Sequence, residues 1–196
     1  MPIAKIVYPI ITLLISIIYC ITKKDKTVWL LIFSVAITIP MMLLLPMGLD
    51  SIILCSILGI LYICSYNDMQ HRKIDDISIL ILLVLCFIYS ICSSDIVLSI
   101  IRFLSVSIIM LILISLNLIH MGGGDIKLLC AIVPLLNIPE YLLMLFISSI
   151  TAIIGYGIVT MVKKPKRYTI PFALYISIGA YCSKLISIFS VEHILP

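Results

Sequence analysis

The sequence predicts an all-α, polytopic integral membrane protein, and two observations lead to this fold class. First, 63% of its 196 residues are hydrophobic and only 11% are charged, with a mean hydropathy of +1.33. Soluble domains carry about 25% charged residues, so this chain cannot cover a surface that faces water. Second, the apolar residues form long continuous runs that do not alternate with polar ones, which favours membrane helices over a β-barrel. We therefore expect one helix bundle that crosses the membrane several times.

Eight apolar segments are candidate membrane helices, since about 17–25 apolar residues are needed to cross a bilayer. In chain order they are Ile6–Ile21, Val28–Leu45, Ser51–Tyr66, Ile77–Cys92, Ile96–Ile119, Leu128–Ile138, Tyr141–Val162 and Pro171–Phe189. The sixth is too short to span alone: it is tilted, extends back through Ile126, or enters the bilayer only in part. We divide the chain into residues 1–49, which hold two N-terminal helices of unknown role, and a six-helix core at 50–196.

The basic residues indicate how these segments are oriented. When the chain is threaded alternately through the eight segments, ten of the 13 basic residues fall on one side. These are Lys23, Lys24, Lys26, Arg72, Lys73, Lys127, Lys163, Lys164, Lys166 and Arg167. By the positive-inside rule that side is cytoplasmic and both chain ends lie outside, as expected for a multi-pass protein of the cell membrane in contact with its lipids. This placement accounts for the net charge of +4, so we predict no nucleic-acid partner. A homo-oligomer is left open.

The seven cysteines do not form a metal-binding or disulfide pattern. They are Cys20, Cys55, Cys64, Cys86, Cys92, Cys130 and Cys182, with no Cys-x-x-Cys pair and no His at ligand spacing. We interpret them as small buried apolar residues and predict neither a metal nor a cofactor.

Two polar stretches on the predicted cytoplasmic side each carry an Asp. Asp125 follows three glycines, which break the apolar pattern and allow close backbone approach, and Asp68 is the second residue of the polar loop Asn67–Asp76. Two carboxyls within a few ångströms share a proton, so one can activate a water while the other polarises a peptide carbonyl. The alternatives are that Asp125 is the N-cap of the following helix and that Asp68 is a solvated loop charge.

Three motifs give this pattern a family resemblance. The run Gly122-Gly123-Gly124-Asp125-Ile126-Lys127-Leu128 resembles the Gly-x-Gly-Asp-x-Lys-Leu motif of the type IV prepilin peptidases, which are membrane aspartyl peptidases. Asp68, followed six residues later by Ile74, resembles that family's first motif, in which an Asp and a short basic stretch precede Ile-Pro-Asn or Ile-Pro-Asp. Ile170-Pro171-Phe172 resembles its Ile-Pro-Phe segment. The matches stand in family order and span roughly Ser51 to Phe189.

The resemblance implies a catalytic pair, Asp68 and Asp125, at the cytoplasmic membrane face. It implies prepilin-like substrates (pilin or pseudopilin precursors) in which a short basic leader precedes a hydrophobic helix. The residues expected to bind substrate or shape the site are Gly122, Gly123, Gly124, Lys127, Asp75, Asp76 and Pro171. Asp75 and Asp76 either attract the basic leader or cap the fourth helix. Lys127 either tunes the pKa of Asp125, contacts lipid phosphate or only orients the protein.

This chain also departs from the family pattern. Asp75 stands where the family has a proline, which alters the predicted shape of the loop more than its chemistry. The chain lacks the paired Cys-x-x-Cys motifs of the long form, which accompany methylation of the new N-terminus. We therefore expect the short form, with peptide cleavage and no support for methyl transfer.

Two rival functions remain. The first is a Gly-x-Gly-Asp protease that resembles presenilin or signal peptide peptidase, whose aspartates lie deeper in the bilayer. The second is a small transporter or a non-enzymatic membrane subunit, because a glycine-broken segment with an Asp can bind a cation or proton near the membrane midplane. The predicted position of both aspartates at helix ends favours the prepilin peptidase type.

Overall fold

The computed structural model describes residues 49–118, 121–163 and 171–194, and within these ranges all regular elements are helices. In chain order the elements are α1 (Leu49–His71), α2 (Asp76–Cys92), α3 (Ile96–Ser115), α4 (Gly123–Ile132), a 3₁₀ helix (Val133–Leu135), α5 (Ile138–Lys163) and α6 (Phe172–Ile194). The two predicted N-terminal spans lie outside the described residues.

Four of the described helices are long and apolar enough to cross a membrane. They are α1, α3, the Ile138–Ile158 part of α5 and the Phe172–Ser190 part of α6, while α2 is a shorter apolar helix of 17 residues. The all-helical membrane fold is thus confirmed in the described part of the chain. The count of eight segments stays a prediction.

The predicted sixth span is not a long helix. The structure has α4, which extends back past Ile126 to Gly123 and ends at Ile132. Its ten residues cover about 15 Å at 1.5 Å per residue, half of the roughly 30 Å of bilayer hydrocarbon. Pro134 accounts for the early end, because it lacks the N–H that would continue the helix, and the chain tightens there into the 3₁₀ helix.

Helix α1 is longer than the sequence predicted. It continues through Asn67 and Asp68 to His71, and the stretch without helix before α2 shrinks to residues 72–75. Arg72 ends α1 in the left-handed region with φ 54°, and its backbone N–H donates to the Asp68 carbonyl at 3.0 Å. The prediction of Asp68 as a loop residue was therefore wrong.

The core surrounds the short helix α4. Leu128 and Ile132 are fully buried, and they belong to the same apolar cluster as Leu61 of α1, Leu82 of α2 and Ile176 of α6. Burial of this kind stabilises the fold by about 25 cal/mol per Å² of apolar surface. The cluster holds the start of α4 in place, and that start carries Asp125.

The cysteines only partly follow the prediction of burial. Cys55, Cys64 and Cys86 are buried, Cys130 and Cys182 are half-buried, and Cys92 at the end of α2 is exposed. Cys20 lies outside the described residues.

The elements alternate in direction, so the helix termini gather at two ends of the bundle. One end, which we call the carboxylate end, holds the C-terminus of α1 and the N-termini of α2, α4 and α6. Its contacts include a hydrogen bond from the Ala173 N–H to Asp68 and an ion pair between Lys127 and Asp76. The opposite end holds the C-terminus of α2, the N-termini of α3 and α5 and the 3₁₀ helix, and Ser90 and Ser99 donate there to the Pro134 carbonyl.

Candidate active site

Asp68 lies one turn before the end of α1, and its side chain points to the N-terminus of α6. The residue is 8% exposed, so it is not a solvated charge. Its Oδ2 atom accepts a hydrogen bond from the backbone N–H of Ala173 at 3.2 Å. Ala173 is the second residue of α6, and N–H groups in a first helical turn have no partner inside the helix. Asp68 satisfies one of them from another helix.

Asp125 lies in the first turn of α4 but does not cap it. The N-cap is Gly122, and no side chain makes a capping hydrogen bond there, so the N-cap alternative for Asp125 was wrong. The helix starts earlier than expected because Gly123 and Gly124 join it. Burial, and secondly the negative charge of Asp68, raise the pKa of Asp125 from 3.8 to about 6.

One cavity of about 330 Å³ brings the two carboxylates together at the carboxylate end. Its remaining lining comes from the loop after α1, the start of α2 and the start of α4. These residues are Arg72, Lys73, Ile74, Asp76, Gly122, Gly123, Gly124 and Lys127. The cavity therefore holds most of the residues that the sequence singled out, Asp75 and Pro171 being the two that do not line it.

The three glycines have different surroundings. A methyl group on Gly122 would lie 3.1 Å from Oδ2 of Asp125, and one on Gly124 would touch Ile74 at 3.5 Å. A methyl on Gly123 would meet nothing within 4 Å. Gly122 thus leaves room for the Asp125 carboxylate, while Gly123 keeps open space in the cavity.

The two acids at the start of α2 have partners that the sequence did not suggest. Asp75 occupies the N-cap position of α2 without a capping hydrogen bond, and it accepts one from Nδ2 of Asn67 at 3.1 Å. Asp76 forms an exposed ion pair with Lys127 at 2.6 Å. Lys127 therefore links the start of α4 to the start of α2.

Comparison with known families tests the resemblance found in the sequence. The sequence model of the type IV leader peptidase family matches residues 55–158, just over half of the chain. The chain belongs to the type IV leader peptidase family. The match contains Asp68 and the run from Gly122 to Asp125, so the resemblance found in the sequence is confirmed. Searches of curated proteins and of solved structures returned no match to this chain.

In this leader peptidase, α6 lies beyond the matched segment but contributes to the site. Pro171 is buried and directly precedes α6, where its fixed φ suits the entry to a helix. The donor to Asp68 is the Ala173 amide, two residues further on. Sequence reasoning identified the Pro171 segment and missed this amide, since any residue except proline supplies the same N–H.

The arrangement of the two carboxyls is suited to acid–base chemistry. Among the residues that the structure describes, no three His, Cys, Asp or Glu side chains are grouped so that they could hold a metal. Two carboxyls in one cavity can divide the roles of base and acid.

Proposed function

We propose that this member of the type IV leader peptidase family is an aspartic endopeptidase whose catalytic pair is Asp68 and Asp125. The observation that carries the proposal is their shared cavity, in which the charge of Asp68 helps to raise the pKa of Asp125. Two acids that influence each other in this way titrate as a pair and retain one proton between them. That is the protonation state from which water can be activated against a peptide bond.

The substrate class follows from the family and from the surroundings of the cavity. We propose precursors of the prepilin type, with a short basic leader that is removed from a hydrophobic helix. Asp75 and Asp76 are exposed beside the cavity and are the acids that a basic leader would meet first. Arg72, Lys73 and Lys127 lie at the same rim, so a leader side chain competes with Lys127 for Asp76.

The positions of the aspartates along their helices support this function over its rivals. Asp68 is three residues from the end of α1, and Asp125 is the third residue of α4. Both therefore lie near helix termini and beside basic residues, whereas a presenilin-like protease or an ion-coupled transporter needs them near the bilayer midplane. By the positive-inside rule we assign the carboxylate end to the cytoplasmic face of the cell membrane.

The test is co-expression of the protein with a prepilin-type substrate and detection of leader removal by the shift in substrate mass. We expect the wild type to cleave and both Asp68→Asn and Asp125→Asn to lose cleavage, because each substitution removes one titratable carboxyl at nearly constant volume. Asp95→Asn is the matched control, since Asp95 is an exposed acid at the opposite end. Cleavage that persists in either of the first two variants would disprove the pair.

A further inference from the structure

The two aspartates differ in their hydrogen-bond partners. Asp68 accepts the Ala173 N–H, which stands at the positive end of the α6 dipole. Hydrogen bonds from backbone amides to a carboxyl favour its ionised form. Among the described residues, the Asp125 carboxyl accepts no such hydrogen bond from a backbone amide.

The N-terminus of α6 is held firmly where it meets Asp68. The Ser65 hydroxyl of α1 lies within hydrogen-bond distance of the Leu61 carbonyl (2.8 Å), the Ala173 carbonyl (3.2 Å) and the Ser177 hydroxyl. Ser177 in turn bonds to the Leu61 carbonyl at 3.2 Å. These contacts fix the first turn of α6 against the last turns of α1, so the amide does not depend on a flexible side chain for its position.

From this asymmetry we propose that the Ala173 amide positions Asp68 as the ionised base of the pair, which leaves the shared proton on Asp125. The assignment rests on the proposed peptidase function and specifies how its two carboxyls divide their roles. The amide is a positioning group, because it acts on Asp68 and does not touch the substrate.

The assignment gives a balanced reaction. The Asp68 carboxylate takes a proton from water while the water oxygen bonds to the scissile carbonyl carbon and Asp125 gives its proton to the carbonyl oxygen. In the second step Asp68 returns its proton to the leaving nitrogen, Asp125 takes one from a hydroxyl of the tetrahedral intermediate, and the C–N bond breaks. The products are a carboxylic acid and an amine, and each Asp regains its starting state.

The first experiment compares Ala173→Pro, which removes the amide hydrogen, with Ala173→Gly, which keeps it. The probe is a synthetic peptide with a basic leader joined to a 20-residue apolar helix (about one membrane span), and kcat/KM is measured against pH in detergent. The other charged groups that face the cavity are Arg72, Lys73, Asp76 and Lys127, and none of them is altered. Thermal unfolding of each variant checks that it is folded.

We expect Ala173→Pro to lower kcat/KM at least tenfold and to move the acidic limb of the profile to higher pH, since the base then ionises less readily. Ala173→Gly should keep the wild-type limbs. A shift confined to the alkaline limb of the pH profile would assign the proton to Asp68 and overturn the proposal. A profile in which neither limb shifts would also overturn it. Absence of cleavage by the wild type would instead reject the peptidase function itself.

A second measurement does not depend on the proline variant being folded. Carboxyl ¹³C signals of Asp68 and Asp125, assigned through Asp68→Asn and Asp125→Asn, are followed against pH in the wild-type protein. We expect Asp68 to be the first of the two to ionise as the pH rises. The reverse order would overturn the assignment whether or not the protein cleaves a given peptide.

Discussion

A single methyl group on Gly122 tests how tightly the Asp125 carboxylate is enclosed. Gly122 has φ −62°, so alanine fits the backbone, but its Cβ would lie 3.1 Å from Oδ2 of Asp125. We expect Gly122→Ala to lower kcat at least tenfold, because the carboxyl must move, with little change in thermal stability.

The matched control for this substitution is Gly59→Ala in α1, where an added methyl meets nothing within 4 Å. It should retain wild-type cleavage. Equal kcat values for the Gly122 variant and the wild type would show that the added methyl does not displace the Asp125 carboxyl.

The raised pKa of Asp125 also predicts how stability depends on pH. In the unfolded chain this carboxyl titrates near 3.8, and in the folded protein near 6. Between these values the folded state binds more protons than the unfolded state, so the free energy of unfolding falls as the pH rises through this window. Asp125→Asn removes the titration and the repulsion on Asp68. We therefore expect the variant to gain stability over the wild type from pH 4 to pH 7.

Thermal unfolding in detergent at several pH values measures this difference. Asp95→Asn again serves as the control, because it alters an exposed acid at the opposite end. A stability difference that stays constant over the window, or narrows with rising pH, would show that the folded protein does not disfavour the Asp125 charge.

At the level of single residues, the sequence could identify the carboxyls but not their surroundings. Asp125 stands out because a charged residue after three glycines in an apolar chain has few structural explanations. The partner of Asp68 could not be predicted, since the Ala173 N–H is a backbone group and its role depends on where α6 begins. The Lys127–Asp76 pair likewise depends on the packing of α4 beside α2.

At the scale of the helices, α5 and α6 pack closely at Gly179. An added Cβ at Gly179 would lie 2.5 Å from the Met144 carbonyl oxygen and 3.2 Å from Cβ of Ser148. Because a backbone atom cannot move aside cheaply, we expect Gly179→Ala to force the helices apart and to destabilise the protein by about 1–3 kcal/mol.

Gly157→Ala in α5 is the paired substitution for this test, since its added methyl meets nothing within 4 Å. It should be neutral or slightly stabilising, because alanine favours helix over glycine. Thermal unfolding of both variants in detergent provides the comparison, and a Gly179 variant as stable as the Gly157 variant would contradict the close packing.

Helix positions followed from hydropathy, but several helix ends did not. Helix α3 ends at Ser115, before the predicted Ile119, and α5 begins at Ile138, before the predicted Tyr141. Hydropathy located α2 within one residue, because its apolar run ends at charged or polar residues on both sides. The predicted end of α1 was too early, because Asn67 and Asp68 are polar and yet lie within the helix, where their side chains form hydrogen bonds. Hydropathy also missed the early end of α4, which is set by Pro134 in an apolar context.

At the scale of the whole molecule, a buried ion pair joins α5 and α6 at the end of the bundle opposite Asp68 and Asp125. Lys184 and Glu140 lie 3.0 Å apart with side chains 10% and 11% exposed. Glu140 also accepts the Asn137 N–H at 2.9 Å, which caps the start of α5. The Lys184 ammonium stands 5.6 Å from the centre of the Tyr89 ring of α2.

We expect Lys184→Met to destabilise the protein by about 3–5 kcal/mol, because it leaves the Glu140 charge buried without its partner. Adding Glu140→Gln should recover most of the loss, since glutamine is neutral and can still accept the Asn137 N–H. Unfolding midpoints of the single and double variants measure this coupling. If the double variant is no more stable than Lys184→Met, the unpaired charge is not the cause.

The outward position of α3 affects how the chain can vary among related organisms. Within the described part of the chain its single buried residue is Ser99, and most of its Ile, Leu and Val side chains face away from the other described helices. Hydrocarbon tails do not distinguish between such aliphatic groups, so evolutionary drift among them carries little penalty. The enclosed Leu128 and Ile132 have no such freedom, and substitutions should therefore accumulate in α3 long before they are tolerated in α4.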